Sequence, residues 1–154
     1  MNYWLMKSEP DTFGIDDLAT RPNRTEHWDG VRNYQARNMM RDGMKPGDRV
    51  LFYHSNCDEP GIAGLMEVVR EGYPDHTAFD PEAKYHDPGS DPANPRWFMV
   101  DVKYLRHLGR NISLRELRQY ADGPLQDLPL LRKGNRLSIM PVTGEQWAFI
   151  LALE

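Results

Sequence analysis

The sequence is poor in cysteine and has no long hydrophobic run. Its single cysteine, Cys57, excludes an internal disulfide and a cluster of thiolate metal ligands. No apolar stretch approaches the roughly 20 residues that cross a bilayer. The first ten residues, which include Lys7 and Glu9, are too polar for a secretory signal. We therefore expect a soluble protein without a membrane partner, in a reducing compartment such as the cytoplasm.

Sequence signatures of catalysis and of metal binding are also missing. The chain has no Gly-x-Ser-x-Gly elbow, no phosphate-binding Gly-Lys-Ser loop and no dinucleotide fingerprint. Its five histidines show no paired spacing of metal ligands. His86 and Asp87 fit a solvated loop better than a ligand pair, and Cys57, near His54, fits an inert thiol better than a nucleophile. We predict no metal, no cofactor and no enzymatic activity.

Charge is unevenly distributed along the chain. The net charge of −4 over 154 residues disfavours a protein that coats long duplex DNA. Residues 21–49 carry a net charge of +3 and residues 103–136 a net charge of +5, whereas residues 50–102 carry −7. The two basic segments are either ordinary solvated surface or come together around an anionic ligand.

The patterns of apolar residues, turns and caps predict one mixed α+β domain over residues 1–154. Strands are predicted at residues 3–6, 49–54, 61–69, 97–105 and 137–140, where Pro141 ends the last of them. Helices are predicted at residues 13–19, 33–40, 113–120, 128–131 and 147–153, with Asn33 as an N-cap and with capping boxes that open at Ser113 and Thr143. Because these elements lack regular βαβ spacing, we expect a small, curved sheet.

Two further features concern local geometry. Gly61 and Gly64 lie inside a predicted strand, where glycine indicates a bulge or the close approach of another group. Residues 72–96 contain five prolines and four aspartates and predict a long surface loop. Long loops of compact domains are often functional.

Polar side chains lie beside aromatic residues at several points of the chain. This combination suits a pocket for a flat, polar heterocycle, because rings stack on it and short polar groups bond its edge. We assign Trp28 to such a pocket, and Trp4, Trp97 and Trp147 to the core. The predicted ligand-binding residues are Lys7, Ser8, Glu9, Trp28, Asn33, Tyr34, His54 and Ser55.

Six segments together resemble the EVE domain family. They are YWLMKSEP (3–10), WDGVRNYQARN (28–38), GDRVLFYHSN (47–56), GIAG (61–64), PRW (95–97) and RLSIMPVT (136–143). The resemblance covers essentially the whole chain and implies a PUA-like fold, a small curved β-barrel surrounded by short helices. It also implies distant kinship with YTH domains, which hold a methylated adenine in an aromatic cage. By that analogy residues 7–9 match the polar wall of the cage, and Trp28 matches a cage tryptophan.

The resemblance further implies binding of DNA or RNA that carries a modified base, such as a modified cytosine. We expect one nucleotide to be flipped into the pocket, stacked on Trp28, with Glu9 accepting from an exocyclic amine. Ser8, Asn33 and either His54 or Ser55 would bond the base edge. The candidate phosphate contacts are Arg32, Arg37, Arg96 and Arg136. We expect a monomer.

Two alternatives remain open at this point. The same pocket could belong to a small enzyme that acts on a modified nucleotide or a related heterocycle, with Glu9 or His54 as general acid or base. The chain could instead be a protein-interaction domain that uses the 72–96 loop.

Overall fold

Six strands form one mixed sheet in the computed structural model, which describes residues 1–154. The strands are β1 (Tyr3–Ser8), β2 (Thr25–His27), β3 (Arg49–His54), β4 (Gly61–Pro74), β5 (Phe98–Ser113) and β6 (Ile139–Val142). Their order across the sheet is β2-β5-β4-β3-β1-β6. Strands β1 and β3 pair in parallel and the other neighbours pair antiparallel. The α+β expectation is confirmed. The sheet itself is open, because β2 and β6 form its two edges and do not pair.

Both faces of the sheet are buried. Along β1, Trp4 and Met6 belong to one apolar cluster, while the intervening Leu5 belongs to a second cluster on the other face. In β3, Phe52 and Tyr53 divide between the two clusters in the same way. This alternation follows from the two-residue period of strand side chains. The parallel strands β1 and β3 are therefore buried on both faces, and the carboxyl ends of the two strands reach the surface.

Short helices cover the sheet. They are α1 (Pro10–Phe13), α2 (Ile15–Thr20), α3 (Tyr34–Asn38), α4 (Leu114–Arg118) and α5 (Gly144–Ala152), with a π-helical turn at Met39–Gly43 and 3-10 turns at Pro22–Arg24, His76–Phe79 and Pro129–Leu131. The predicted caps are present, since the side chains of Asn33, Ser113 and Thr143 each accept from a backbone N–H in the first helical turn. No helix is both long and apolar enough to cross a bilayer.

Several elements depart from the sequence prediction: β2 was not predicted, β4 and β5 continue beyond their predicted ends at residues 69 and 105, and α3 gives way to a π-helical turn after Asn38. Strand β6 continues through Pro141, which was predicted to end it. Proline is tolerated there because β6 is an edge strand with one hydrogen-bonded neighbour. The single helix predicted at 13–19 is two helices, since Gly14 adopts an extended conformation between α1 and α2.

The prediction of a bulge or a close approach in β4 is confirmed on both counts. The register of β3 against β4 shifts between Phe52 and Tyr53, opposite Gly64 and Ile62. A Cβ atom at Gly64 would lie 2.8 Å from the carbonyl oxygen of Arg106 and from the Ile15 side chain. Glycine at position 64 therefore lets α2 pack directly against the sheet.

Candidate functional site

A cleft of about 750 Å³ opens where β1 and β3 end. The carboxyl ends of parallel strands meet at one edge of a sheet, which brings Ser8 and Ser55 to the same wall. We call this the base cleft, after the nucleotide base that the sequence predicts as its ligand. It is lined by Lys7, Ser8, Glu9, Thr12, Phe13, Arg21, residues 26–32, Ser55, Lys84, Tyr85, Arg136 and Ser138. Separate stretches of the chain, distant in sequence, therefore converge on one opening.

Trp28 lines the base cleft and also belongs to the core. The residue is only 7% exposed. Its ring packs edge-on against Phe52, with 5.4 Å between the ring centroids, and against Phe13 at 6.1 Å. Trp28 was predicted to lie in a pocket rather than in the core, but the structure gives it both positions. Phe13 and Tyr85, neither of which was predicted, are the other two aromatic residues of the lining.

The buried carboxylate of Asp75 holds the cleft wall in place. Asp75 is fully buried and accepts hydrogen bonds from the Gly30 backbone N–H at 2.9 Å, from Arg32 at 3.0 Å and from Thr77. Arg32 also donates to the Tyr85 carbonyl oxygen at 2.6 Å. Burial alone would raise the pKa of Asp75, but the hydrogen bonds from Thr77, Gly30 and Arg32 outweigh it and lower the pKa. The 28–32 segment is thereby fastened to the 72–96 loop.

Gly30 allows Tyr85 to approach the 28–32 segment. Its φ of +77° lies in the left-handed region that favours glycine. A Cβ atom at this position would lie 2.6 Å from the ring of Tyr85. The tyrosine ring therefore closes over the glycine and completes one side of the base cleft.

Two carboxylates of the cleft differ in their surroundings. Asp29 is half-buried beside Trp28, and its Oδ2 lies 3.7 Å from Nε2 of His27. Burial raises the pKa of Asp29, the charge of His27 opposes that shift, and the charge of Asp75 adds to it. Glu9, which was predicted to read the base, is exposed and accepts from Asn56 at 3.3 Å. Asp29 was missed, although its place next to Trp28 in a polar loop was a usable signal.

The cations of the base cleft divide into paired and unpaired groups. Arg21 pairs with Glu26 at 2.9 Å, and Arg32 is held by Asp75. Lys7, Lys84 and Arg136 line the cleft without an ion pair. Both basic segments of the sequence contribute, Arg21 and Arg32 from 21–49 and Arg136 from 103–136. The base cleft therefore offers unpaired positive charge to an anionic ligand.

Three predicted ligand-binding residues do not line the base cleft. The Asn33 side chain caps α3 by accepting from the Ala36 N–H at 3.0 Å. The Tyr34 ring stacks on Trp97 with 5.0 Å between centroids and is 54% exposed. Nε2 of His54 accepts from the Ile15 N–H at 3.1 Å. These hydrogen bonds and this stacking occupy the groups that were predicted to contact the ligand. Lys7, Ser8, Glu9, Trp28 and Ser55 do line the cleft.

Two of the four predicted phosphate contacts also lie elsewhere. Arg37 donates to the Arg96 carbonyl oxygen at 3.0 Å, and Arg96 pairs with Asp87 at 3.2 Å. The same Asp87 accepts from the indole N–H of Trp97 at 2.6 Å. This network stabilises the 72–96 loop, so only Arg32 and Arg136 of the predicted set reach the base cleft.

The chemistry expected of an enzyme is not assembled around His54. Because its Nε2 accepts a backbone hydrogen bond, His54 is held by α2 rather than aimed at Cys57. The Cys57 sulfur lies 3.9 Å from the His54 carbonyl oxygen. No group of three or more His, Cys, Asp or Glu side chains is arranged to hold a metal ion.

Comparison with known proteins decides the family. The model of the EVE domain matches residues 2–153. The chain belongs to the EVE domain family. A zebrafish EVE relative, thymocyte nuclear protein 1 of Danio rerio, is 51% identical over 98% of this chain and 71% of its own length.

Solved structures of similar proteins share the fold. A crystal structure of a Pseudomonas putida protein is 52% identical, covers 98% of both chains and superposes with a TM-score of 0.93. The human THYN1 protein, crystallised in complex with DNA containing 5-methylcytosine, is 48% identical. It covers 99% of this chain and 97% of its own chain, with a TM-score of 0.94.

We predict that alanine at Gly30 destabilises this EVE domain more than alanine at Gly134. Both glycines have a φ of +77°, so the backbone strain of alanine, about 1–2 kcal/mol, is common to both variants. Only at Gly30 does the new Cβ meet a ring, whereas Gly134 has no atom within 4 Å. We expect Gly30→Ala to cost about 2–4 kcal/mol in total. Urea denaturation of both variants measures this, and equal destabilisation would show that Tyr85 moves aside freely.

We predict that Asp75 contributes pH-dependent stability. Its pKa in the folded protein is below the ordinary value of 3.8, so its contribution is present above that pH and is lost as the pH falls through the folded pKa. Asp75→Asn should lower the free energy of unfolding by about 2–4 kcal/mol at neutral pH. The gap to the native protein should narrow below pH 3.8. Denaturation curves at a series of pH values measure it, and a constant gap would contradict the prediction.

Proposed function

We propose that this EVE domain is a non-enzymatic binding module that takes a modified cytosine of DNA into the base cleft. The observation that carries the proposal is Asp29 beside Trp28, a half-buried carboxylate next to an aromatic ring in a cleft with unpaired cations. Rings contact the flat face of a base, a carboxylate accepts from cytosine N4, and cations contact phosphate. The human relative crystallised with 5-methylcytosine DNA supports this choice of ligand.

Within this proposal the residues take distinct roles. Trp28, Phe13 and Tyr85 provide the apolar walls. Asp29 accepts from the exocyclic amine, and the hydroxyl groups of Ser8 and Ser55 bond the base edge. Ser8 already donates to the Phe13 carbonyl oxygen at 2.6 Å, so its hydroxyl oxygen is left as an acceptor for the ligand. Ser55 is the second hydroxyl at this wall.

Family membership also supports the finer assignment of the fold. We infer that the open sheet and its short helices are of the PUA-like type, with distant kinship to YTH domains. In that comparison Trp28 corresponds to a cage residue, and the 7–9 segment to a polar wall. Both lie in the base cleft.

We predict that Asp29 discriminates 5-methylcytosine from thymine. The two bases share the methyl group and differ on the Watson–Crick edge, where cytosine offers an amine and thymine a carbonyl. Asp29→Asn keeps the shape of the side chain and replaces one acceptor oxygen with a donor. It should weaken binding of a 5-methylcytosine oligonucleotide by about 1–3 kcal/mol, or roughly five- to 150-fold. Binding of the matched thymine oligonucleotide should change less. Calorimetry on both oligonucleotides measures the difference.

Glu9→Gln is the matched control, because Glu9 lies on the same cleft but is exposed. It should change binding of the two oligonucleotides little. If Glu9→Gln removes the preference for 5-methylcytosine over thymine and Asp29→Asn leaves it intact, Glu9 is the residue that recognises the base edge.

Because the pKa of Asp29 is raised, binding of the 5-methylcytosine oligonucleotide by the native protein should also weaken as the pH is lowered. This pH dependence should be smaller in Asp29→Asn.

The same samples test the proposal against the enzyme alternative. A binding module returns its ligand unchanged, whereas an enzyme alters the base or cleaves the strand. Mass spectrometry of the oligonucleotide after prolonged incubation should show one unchanged species. A new product that the native protein generates would overturn the non-enzymatic assignment. If a matched RNA oligonucleotide with the modified base binds more tightly than the DNA, the ligand is RNA rather than DNA.

A further inference from the structure

A second cleft of about 410 Å³ adjoins the base cleft, and Lys7 lines both. We call it the basic cleft. It lies between β3, α4 and the turn that follows Pro129–Leu131. Four of its lining side chains are cationic and none is acidic: Lys7, Arg118, Arg132 and Lys133. This arrangement differs from the base cleft, where three carboxylates lie among the cations.

The cations of the basic cleft have no carboxylate partners. Nearby arginines do, since Arg115 pairs with Glu59 at 2.7 Å and Arg110 with Glu116 at 2.6 Å. Arg115 and Arg118 both lie on α4, yet only Arg115 has a carboxylate partner. The absence of a partner is therefore specific to the side that faces the basic cleft. Like charges that share a cleft repel each other, and a bound anion would relieve that repulsion.

The hydroxyl group of a buried tyrosine opens into the basic cleft. Tyr53 is 3% exposed and lines this cleft, but its hydroxyl makes no hydrogen bond within the protein. The hydroxyl oxygen is not among the buried polar atoms that lack a partner, so it is accessible from the cleft and free to bond water or a ligand there. Burial raises the pKa of Tyr53 to about 12 against the opposing charge of Arg118. The phenol therefore keeps its proton at neutral pH and can donate it in a hydrogen bond.

We propose that the basic cleft binds a backbone phosphate of the nucleic-acid strand whose base occupies the neighbouring base cleft. The Tyr53 hydroxyl donates to a phosphate oxygen, and Lys7, Arg118, Arg132 and Lys133 neutralise its charge. Lys7 lines both clefts, and its ammonium group lies 5.9 Å from the centre of the Tyr53 ring. This assignment rests on the proposed function, because it takes the ligand of the base cleft to be part of a strand.

The occupant is a phosphate of a strand rather than an acidic peptide, because the basic cleft shares Lys7 with the base cleft and lies at the same end of the paired strands β1 and β3. A phosphate has several accessible oxygen acceptors at one centre, which matches several converging donors. None of the four arginines and lysines was among the phosphate contacts predicted from the sequence. The basic cleft therefore supplies the backbone contacts that Arg37 and Arg96 do not make.

The test compares two ligands that differ in phosphate. One is a short single-stranded DNA oligonucleotide with one 5-methylcytosine, and the other is the nucleoside 5-methyl-2′-deoxycytidine. We expect Tyr53→Phe to weaken oligonucleotide binding about tenfold without loss of stability, because the hydroxyl has no partner in the free protein. The Arg132→Gln/Lys133→Gln variant should weaken it by a similar factor. The slope of log affinity against log salt should become shallower by roughly 0.7 for each phosphate that the variant no longer neutralises.

Binding of the nucleoside, followed by ligand-observed NMR, should be the same in all variants. Arg115→Gln is the matched control, since it removes one positive charge from the same helix outside the basic cleft. It should change oligonucleotide affinity by less than about twofold, because an exposed ion pair contributes little.

The outcomes separate the two proposals. If the native protein binds neither ligand, the proposed function fails. If it binds both and the variants bind the oligonucleotide as tightly as the native protein does, only the phosphate site is overturned. Equal weakening of nucleoside and oligonucleotide would also overturn it, because the variants would then act through the shape of the base cleft.

Discussion

The base cleft depends on the burial of one carboxylate. Asp75 has no exposed surface, and burying its charge is tolerated only because Gly30, Arg32 and Thr77 all donate to it. These hydrogen bonds join two distant parts of the chain into one wall. They also fix the role of Arg32, since a guanidinium held by Asp75 and the Tyr85 carbonyl oxygen is a structural cation. The charge left for a ligand is that of the unpaired lysines and arginines around it.

Much of the fold was predictable because the signals are local. The uninterrupted apolar run of Trp4, Leu5 and Met6 indicates a strand, which the structure buries on both faces, and the Asn33 and Thr143 caps indicate where helices begin. The open edges of the sheet and the continuation of β6 through Pro141 were not predictable in this way. Both depend on which strand lies at an edge, and that is decided by long-range pairing.

The candidate site was only partly predictable, for a related reason. Ser8 and Ser55 line the base cleft, and the sequence placed both of them where predicted strands end; that these two ends meet follows from the parallel pairing, which the structure shows. His54 was also predicted to bond the base edge but lies outside the base cleft, because its hydrogen bond to the Ile15 N–H depends on the packing of α2, which no local pattern shows. Tyr85 was missed because its importance arises from contact with Gly30, far away in the sequence. Local sequence patterns do not predict side chains that reach a site only through tertiary contacts.

The double position of Trp28 constrains how the proposed module gains affinity. Extruding a base from its stack costs a few kcal/mol, and stacking on an aromatic ring returns about 1–3 kcal/mol. Trp28 is 7% exposed and packed against Phe52, so it offers little free surface and cannot supply more than this. The remaining affinity must then come from the base edge and from the backbone phosphates. Asp29 lines the base cleft beside Trp28, and unpaired cations line both the base cleft and the basic cleft. In the proposed arrangement the ring would select flat ligands, the carboxylate would select among bases, and contacts between the cations and the phosphates would hold the strand.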